Sequence, residues 1–496
     1  VVGAPFGAGA TANGNTLRLT PPTAAFRGVV RLQYRVTDLS NAQSAPATLL
    51  AFVGTQPFQV AYLGNDFATA RTDLVLTDLV SDTRQVNPTL AAGPITRFEV
   101  SDNAQSFSYV VGQGDAFVVR ATTLGTATAL FPAALDPQSV HVRTALSPDG
   151  ARACATYFDG SNPSASALRW RSFVTTVATG ARAEVTPDNR VCFGFVNGGA
   201  DILFLGTNNV VPGDDPAIYR APAASPTGIA GSPSRLTTLT YEANAGWSLD
   251  SVFVASDGSR MLYVQKRAGL ESVYHLPLGA GGTDAAISTA FTRIFDLAAS
   301  PSRDRVAFLA AGQNTDLWGA DIAAAGTSTL LFAVPAGRSL AAPVFSPDGT
   351  RVAFAANSAT AQPDIYDAEF ANPMGVTQAL GGVEADAPTL RYDASGANLI
   401  VSSASTGSAS QFRISQAVRG GPPTQSPTVL HPVSQFLGAS RSFALTTDSA
   451  VVVAALRDAG SGDVRVYLVN RAVPGEALLL SRTTATQASG VRVVAR

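Results

Sequence analysis

Charge is scarce in this chain. Acidic and basic residues together make up 14% of its 496 positions, and Lys266 is the lone lysine beside many arginines. Surface helices depend on charged side chains for their solvated faces. Short uncharged strands joined by Gly, Pro and Ser turns must therefore carry this structure. Lysine and arginine number 34 against 36 aspartates and glutamates, a net charge of −2. That balance argues against a nucleic-acid partner, which needs a basic face. Long apolar runs are also missing: "AVVVAAL" at 450–456 falls far below the roughly 18 residues of a membrane helix. No membrane span is expected. Cysteine occurs only at Cys154 and Cys192, which make no metal-site pattern. They fit either one disulfide in an exported protein or two buried free thiols. His141, His275 and His431 lie apart and form no H-x-H or H-E-x-x-H motif. There is no G-x-S-x-G elbow. The sequence opens at Val1 with neither Met nor signal peptide, so a processed or truncated product is expected.

What the chain does have is a repeat. "VFSPDGTRVAFAANS" at 344–358 reads as strand, tight turn, strand. Gly enters positive φ without steric cost and Asp caps its own backbone, so Asp-Gly suits the turn. Copies stand at 146–158, 255–264, 299–310 and 392–403, with weaker ones at 100–111, 196–206 and 445–456. Anchored on Asp102, Asp149, Gly199, Asp257, Asp304, Asp348, Asp393 and Asp448, they recur every 44 to 58 residues. A period of that size points to an array of small sheets. Each period adds a third strand, such as "DIYDAEF" at 364–370, and a short fourth, such as "GVTQAL" at 375–380.

The fold class expected is all-β: a β-propeller of eight or nine four-stranded blades. The inner two strands of each blade are expected to be apolar on both faces, because neighbouring blades cover both. Closure is also foreseen. Residues 57–87 have outer-strand character but lack an inner strand, and "SGVRVVAR" at 489–496 is a lone strand. The C-terminal strand is expected to complete the first blade and close the ring.

The turn and second strand resemble the "SPDG-x-x-I/V-A-F" repeat of bacterial TolB-like, WD40-like (PD40) β-propellers. Within the fourth blade, "ADILFLGTNNVVPGDDPAIYRAP" at 200–222 is similar to the repeat variant carrying a "NLVPGD" insertion. This resemblance assigns 55–496 to the propeller and leaves function open, since the fold hosts binding, scaffolding and enzymatic roles. Residues 1–54 follow another pattern, with Leu17, Pro21, Phe26, Gly28, Tyr34, Val36, Asp38, Ser44, Pro46 and Ala47 in register. They resemble the later part of cadherin-like and Ig-like β-sandwich repeats of bacterial surface proteins. A partial module that leans on the ring or on another chain is the expectation.

Site signals are sparse. Asp214 and Asp215 in "VVPGDDPAIY" read as a capped loop, with Ca²⁺ as the alternative, and the "PDG" aspartates read as turn formers. Enzyme propellers that use metal-bound histidine clusters, dense calcium-binding carboxylates or repeated Trp motifs have no counterpart in this composition. Arg143, Arg293 and Asp296 are the inner-strand residues offered to an axial funnel. The expected function is a non-enzymatic binding or assembly module, without a required cofactor. It would sit at the cell surface, outside the cell or in the periplasm of a bacterium. Its partner would be a protein, a copy of itself or a glycan. An envelope enzyme acting on glycans and a TolB-like complex partner are the alternatives.

Overall fold

The turn at Ser346–Gly349 shows why the repeat has its sequence. Gly349 sits at φ +69, and its N–H donates to Ser346 O at 2.9 Å. Asp348 Oδ1 accepts from Thr350 N at 3.0 Å and from Ser346 Oγ at 2.6 Å. Ser346 Oγ in turn accepts from Arg351 N at 3.0 Å. These donors, Ser346 Oγ foremost, hold the Asp348 carboxyl at about 2. The same lock recurs at Ser147–Arg152 and Thr446–Val451. In three copies of the turn Ala104, Arg303 and Ser449 take the left-handed conformation without glycine.

The computed structural model describes residues 9–495 apart from 14–15, 21–27, 36, 38–41, 46, 54–57, 66–71, 79–82, 89–92, 113, 132–139, 160–168, 186–189, 207–216, 224–232, 240–251, 256, 280–281, 312–314, 336–337, 342, 359–363, 381–388, 405–411, 420–427, 432–435, 459, 473, 476 and 482–486. Antiparallel sheets follow one another along the chain and form a propeller of nine blades. The first strands of the blades, from one to nine, are Ala488–Ala495, Ile95–Val100, Val140–Leu146, Arg190–Val196, Val252–Val254, Ile294–Ala299, the pair Arg338–Leu340 and Val344–Phe345, Thr389–Tyr392, and Phe436–Leu445. Blade one is completed from the far end of the chain, by pairing Ala488–Ala495 with Phe58–Gly64. Blade seven departs from the simple pattern, since its first strand is split in two along Arg351–Ser358.

Nine separate apolar clusters fill the junctions between consecutive blades, including that of blade nine with blade one. Strand alternation explains this. In Arg351–Ser358, Val352, Phe354 and Ala356 face blade six, whereas Ala353 faces blade eight. With both faces covered, the second strand must read as a continuous apolar run. Each fully buried aliphatic or aromatic side chain contributes roughly 1.5–3 kcal/mol.

Polar clasps tie the hairpins of adjacent blades together. Arg152 donates to Gly199 O at 2.8 Å, and Arg305 to Gly349 O at 3.2 Å. The buried Asp367 accepts from Arg351 within blade seven and from Tyr392 in blade eight, at 2.8 and 2.7 Å. Blades three and four are also joined covalently. Cys154 and Cys192 form a disulfide with a Cα–Cα distance of 6.4 Å, inside the apolar layer between them. At the N-terminal end, Gly9–Asn13 pairs with Thr16–Thr20, and Gly28–Tyr34 with Ala47–Val53, as two separate hairpins.

The first strands differ from expectation. Second strands such as Ser106–Val111 are buried throughout, but Ile95–Val100 alternates and leaves Thr96, Arg97 and Glu99 exposed. The reason is geometric. Nine blades leave an axis too wide for side chains to fill, so the innermost edge meets water.

Gly150 tests the hairpin ring. It sits at φ +66, and a Cβ there would lie 2.9 Å from the Oγ atoms of Ser101 and Ser106. Gly112 sits at φ +57 with open space around it. Gly112→Ala should cost about 1–2 kcal/mol from backbone strain alone. Gly150→Ala should cost clearly more in denaturant titration. Equal losses would show that the hairpins do not press on one another.

Candidate functional site

Irregularities in three of the first strands fall at arginines. The register slips between Ile95 and Arg97, between Val140 and Arg143, and between Ser489 and Arg492. A bulge bends its strand and re-aims the side chain beside it. Each of these slips ends on an arginine. Arg391 joins them from the regular first strand of blade eight. Taken together, the first strands carry Arg97, Arg143, Arg190, Arg338, Arg391, Arg492 and Arg441, the last with its side chain outside the described residues, against Glu99 and Asp296, in a chain that is slightly acidic overall. Two of these arginines are engaged elsewhere. Arg190 lies over the Tyr219 ring, 3.8 Å from its centroid, and Arg338 pairs with Asp364 at 2.6 Å.

Glu99 occupies the centre of the remaining group. Enclosure by the ring pushes its carboxyl up to about 7, against the pull of Arg143, Arg97 and Arg492. The side chain still touches water in the channel, which tempers the shift. Arg391 is held below the usual guanidinium range, first by desolvation and then by Arg492. Its guanidinium also lies 5.8 Å from the Phe443 ring centroid. Arg492 in blade one thus influences Arg391 in blade eight across blade nine.

A cavity of about 500 Å³ opens where these strands meet their hairpins. Glu99, Asp102 and Arg492 line it together with Phe98, Leu146, Thr447 and Val493. Its wall is thus shared by blades one, two, three and nine. A carboxyl that titrates near neutrality beside fixed cations can exchange a proton or pair with an anion.

Of the residues named from sequence, Arg143 belongs to this group. Glu99's charged neighbours come from blades one, two and three, so Arg293 and Asp296 of blade six stand outside it. Arg293 instead lies over Phe295, 4.7 Å from the ring centroid. Asp214 and Asp215 lie outside the described residues. Among the described residues, no group of three or more His, Cys, Asp or Glu could hold a metal ion. His431 is buried and accepts from Ile414 N at 3.0 Å through Nε2. His275 is held below its usual value by desolvation. Sequence reasoning missed Arg97, Glu99, Arg391 and Arg492. The alternation of "ITRFEV" at 95–100, polar where an inner strand should be apolar, was the available signal.

Glu99 predicts a pH dependence. Its pKa in the fold lies above the ordinary glutamate value of 4.5, so the folded protein keeps a proton that the unfolded chain has lost. Its contribution to stability is full below about 4.5 and is lost as pH rises towards about 7. In urea titrations across that window, Glu99→Gln should flatten the fall. Superimposable profiles for the two proteins would contradict this assignment.

No protein-family model matches the sequence, and no curated protein matches it. Among solved structures the chain is similar to a eukaryotic initiation factor, with a TM-score of 0.57 at 11% identity over 89% of this chain and 100% of that one. An oligogalacturonate lyase in complex with manganese aligns at a TM-score of 0.40 and 13% identity, over 69% and 97% of the two chains. TolB from Acinetobacter baumannii aligns at 0.31 and 14%, over 71% and 76%. At such identities the initiation-factor match concerns the fold alone, and the chain is a nine-bladed β-propeller.

Proposed function

We propose that this chain is a non-enzymatic binding and assembly module, exported to the periplasm or surface of a bacterium. There it presents the ring to a protein or glycan partner. The observation that carries this reading is circular closure. Every blade junction, including that between blades nine and one, holds its own core, and the chain ends pair in one sheet. A ring without a free edge holds its rim loops at fixed positions, and rigid scaffolds with variable loops suit partner recognition. The disulfide between Cys154 and Cys192 supports an oxidising compartment. The hairpins of residues 9–53 would serve as part of an Ig-like stalk. The proposal requires no cofactor.

Glu99 supports a second reading, an envelope enzyme acting on glycans. A carboxyl titrating near neutrality is suited to general acid–base work, and the cavity beside it is open. One set of experiments separates the two. Tagged protein is incubated with envelope protein and glycan fractions, and a panel of polysaccharides is screened for turnover with and without divalent metal. The binding reading expects specific retention of an envelope component and no turnover. A monodisperse monomer that retains nothing overturns it. So does turnover that disappears in Glu99→Gln, which would establish the enzyme.

A further inference from the structure

The axial cavity has a chemistry of its own, independent of whatever the ring's outer surface holds. Its lining is divided. Phe98, Val100, Leu146 and Val493 supply an apolar wall, and Arg492, Glu99, Asp102, Ser101 and Thr447 supply the polar part. Arg97 stands on the strand of Glu99, and Arg143 on the neighbouring strand. Arg391 reaches the same axis from blade eight. At about 500 Å³ the space lies within the range of roughly 300–1,000 Å³ typical of small-molecule sites. It is too small for a folded domain.

We propose that this cavity binds a small organic carboxylate with an apolar tail, its head group held by Arg492 and the neighbouring axial arginines. The inference goes beyond the binding-module reading and does not depend on it. Three features favour a carboxylate over other anions. A guanidinium fork matches the two oxygens of a carboxylate in one plane. The Phe98, Leu146 and Val493 wall gives an alkyl or aryl tail a surface to cover, which inorganic phosphate lacks. Finally, Glu99 in its protonated form is a hydrogen-bond donor suited to a carboxylate oxygen. In its ionised form it repels the same ligand.

The charged groups facing Glu99 are Arg97 on its own strand, Arg143 of blade three and Arg492 of blade one. Asp102 lines the same cavity and opposes an anion there. Binding therefore draws a proton from solvent onto Glu99. Affinity must rise as pH falls through about 7, until the ligand itself protonates in the ordinary carboxylate range.

The experiment is a calorimetric titration of the intact chain with hexanoate, hexanamide, acetate and inorganic phosphate. Hexanoate should bind with one-to-one stoichiometry, about tenfold or more tightly than acetate. Hexanamide and phosphate should show no saturable binding. Arg492→Gln should weaken hexanoate about tenfold, and Arg492→Lys, which keeps the charge but loses the planar fork, serves as a second variant should the first not fold. Glu99→Gln should retain binding, remove its pH dependence and cancel the proton uptake seen in buffers of different ionisation heat. Absence of hexanoate binding overturns the proposal. Equal binding of phosphate, or hexanoate affinity unchanged in folded arginine variants, does so too. A ring that captures no envelope partner leaves this titration intact, and a failed titration leaves the platform reading standing.

Discussion

Each blade has two apolar faces, and water is excluded from both. A sheet such as that of blade seven, with Val352 and Phe354 on one side and Ala353 on the other, is stable only between two like neighbours. An open array would leave one naked face at each end, with the whole of a blade's core exposed. Circular closure removes both ends at once. The last strand, Ala488–Ala495, therefore belongs to the first sheet, and Val491 is buried beside Phe58, Val60 and Val453. The Asp-Gly hairpins follow from the same demand. Wedge-shaped sheets bring their first and second strands close to the axis, where turns must be tight enough to touch without clashing. Gly150, against Ser101 and Ser106, is the clearest instance.

The cost of nine blades falls on the axis. The innermost strands face one another across a gap that their side chains do not fill, so polar residues are tolerated there. What occupies those positions is not neutral filler. Arginines in a chain of balanced charge collect on the first strands, with Glu99 between them. Three of them sit at bulges that turn the side chain out of the inter-blade layer. A structural role alone gives no reason to gather like charges around one channel, where they repel one another. An anionic occupant gives one.

Much of the architecture was legible because it is written locally. The Ser-Pro-Asp-Gly turn carries its own hydrogen bonds, its glycine φ and the start of the next strand, so each copy announces a hairpin. The lone strand at 489–496 and the blade that lacked an inner strand pointed to closure. The choice between eight and nine blades was harder, because turns such as Asn103-Ala104 and Ser302-Arg303 adopt the geometry without its usual residues. The split first strand of blade seven is marked only by Pro343 in "RSLAAPVF" at 338–345, which has no N–H to give to the ladder.

The axial site was nearly invisible for a related reason. Its members come from positions 97, 99, 143, 391 and 492, one or two per blade, and only the closed ring makes neighbours of the first and last. Nor does sequence encode a bulge. Arg143 was singled out because it opens an inner strand, and the same criterion chose Arg293 and Asp296, which lie in blade six, away from Glu99. The cysteines differ in kind: their pairing follows from two strands sharing a single inter-blade layer.

The central claim is that the two ends of the chain are locked into one cooperative ring. Native-state hydrogen exchange at residue resolution tests it most directly. If the account is right, amides of Ala488–Ala495 and Phe58–Gly64 exchange with the same opening free energy as those of Arg305–Ala311 on the far side. If the C-terminal strand exchanges orders of magnitude faster while the remaining blades stay protected, the ring is not closed by its ends, and the account is wrong.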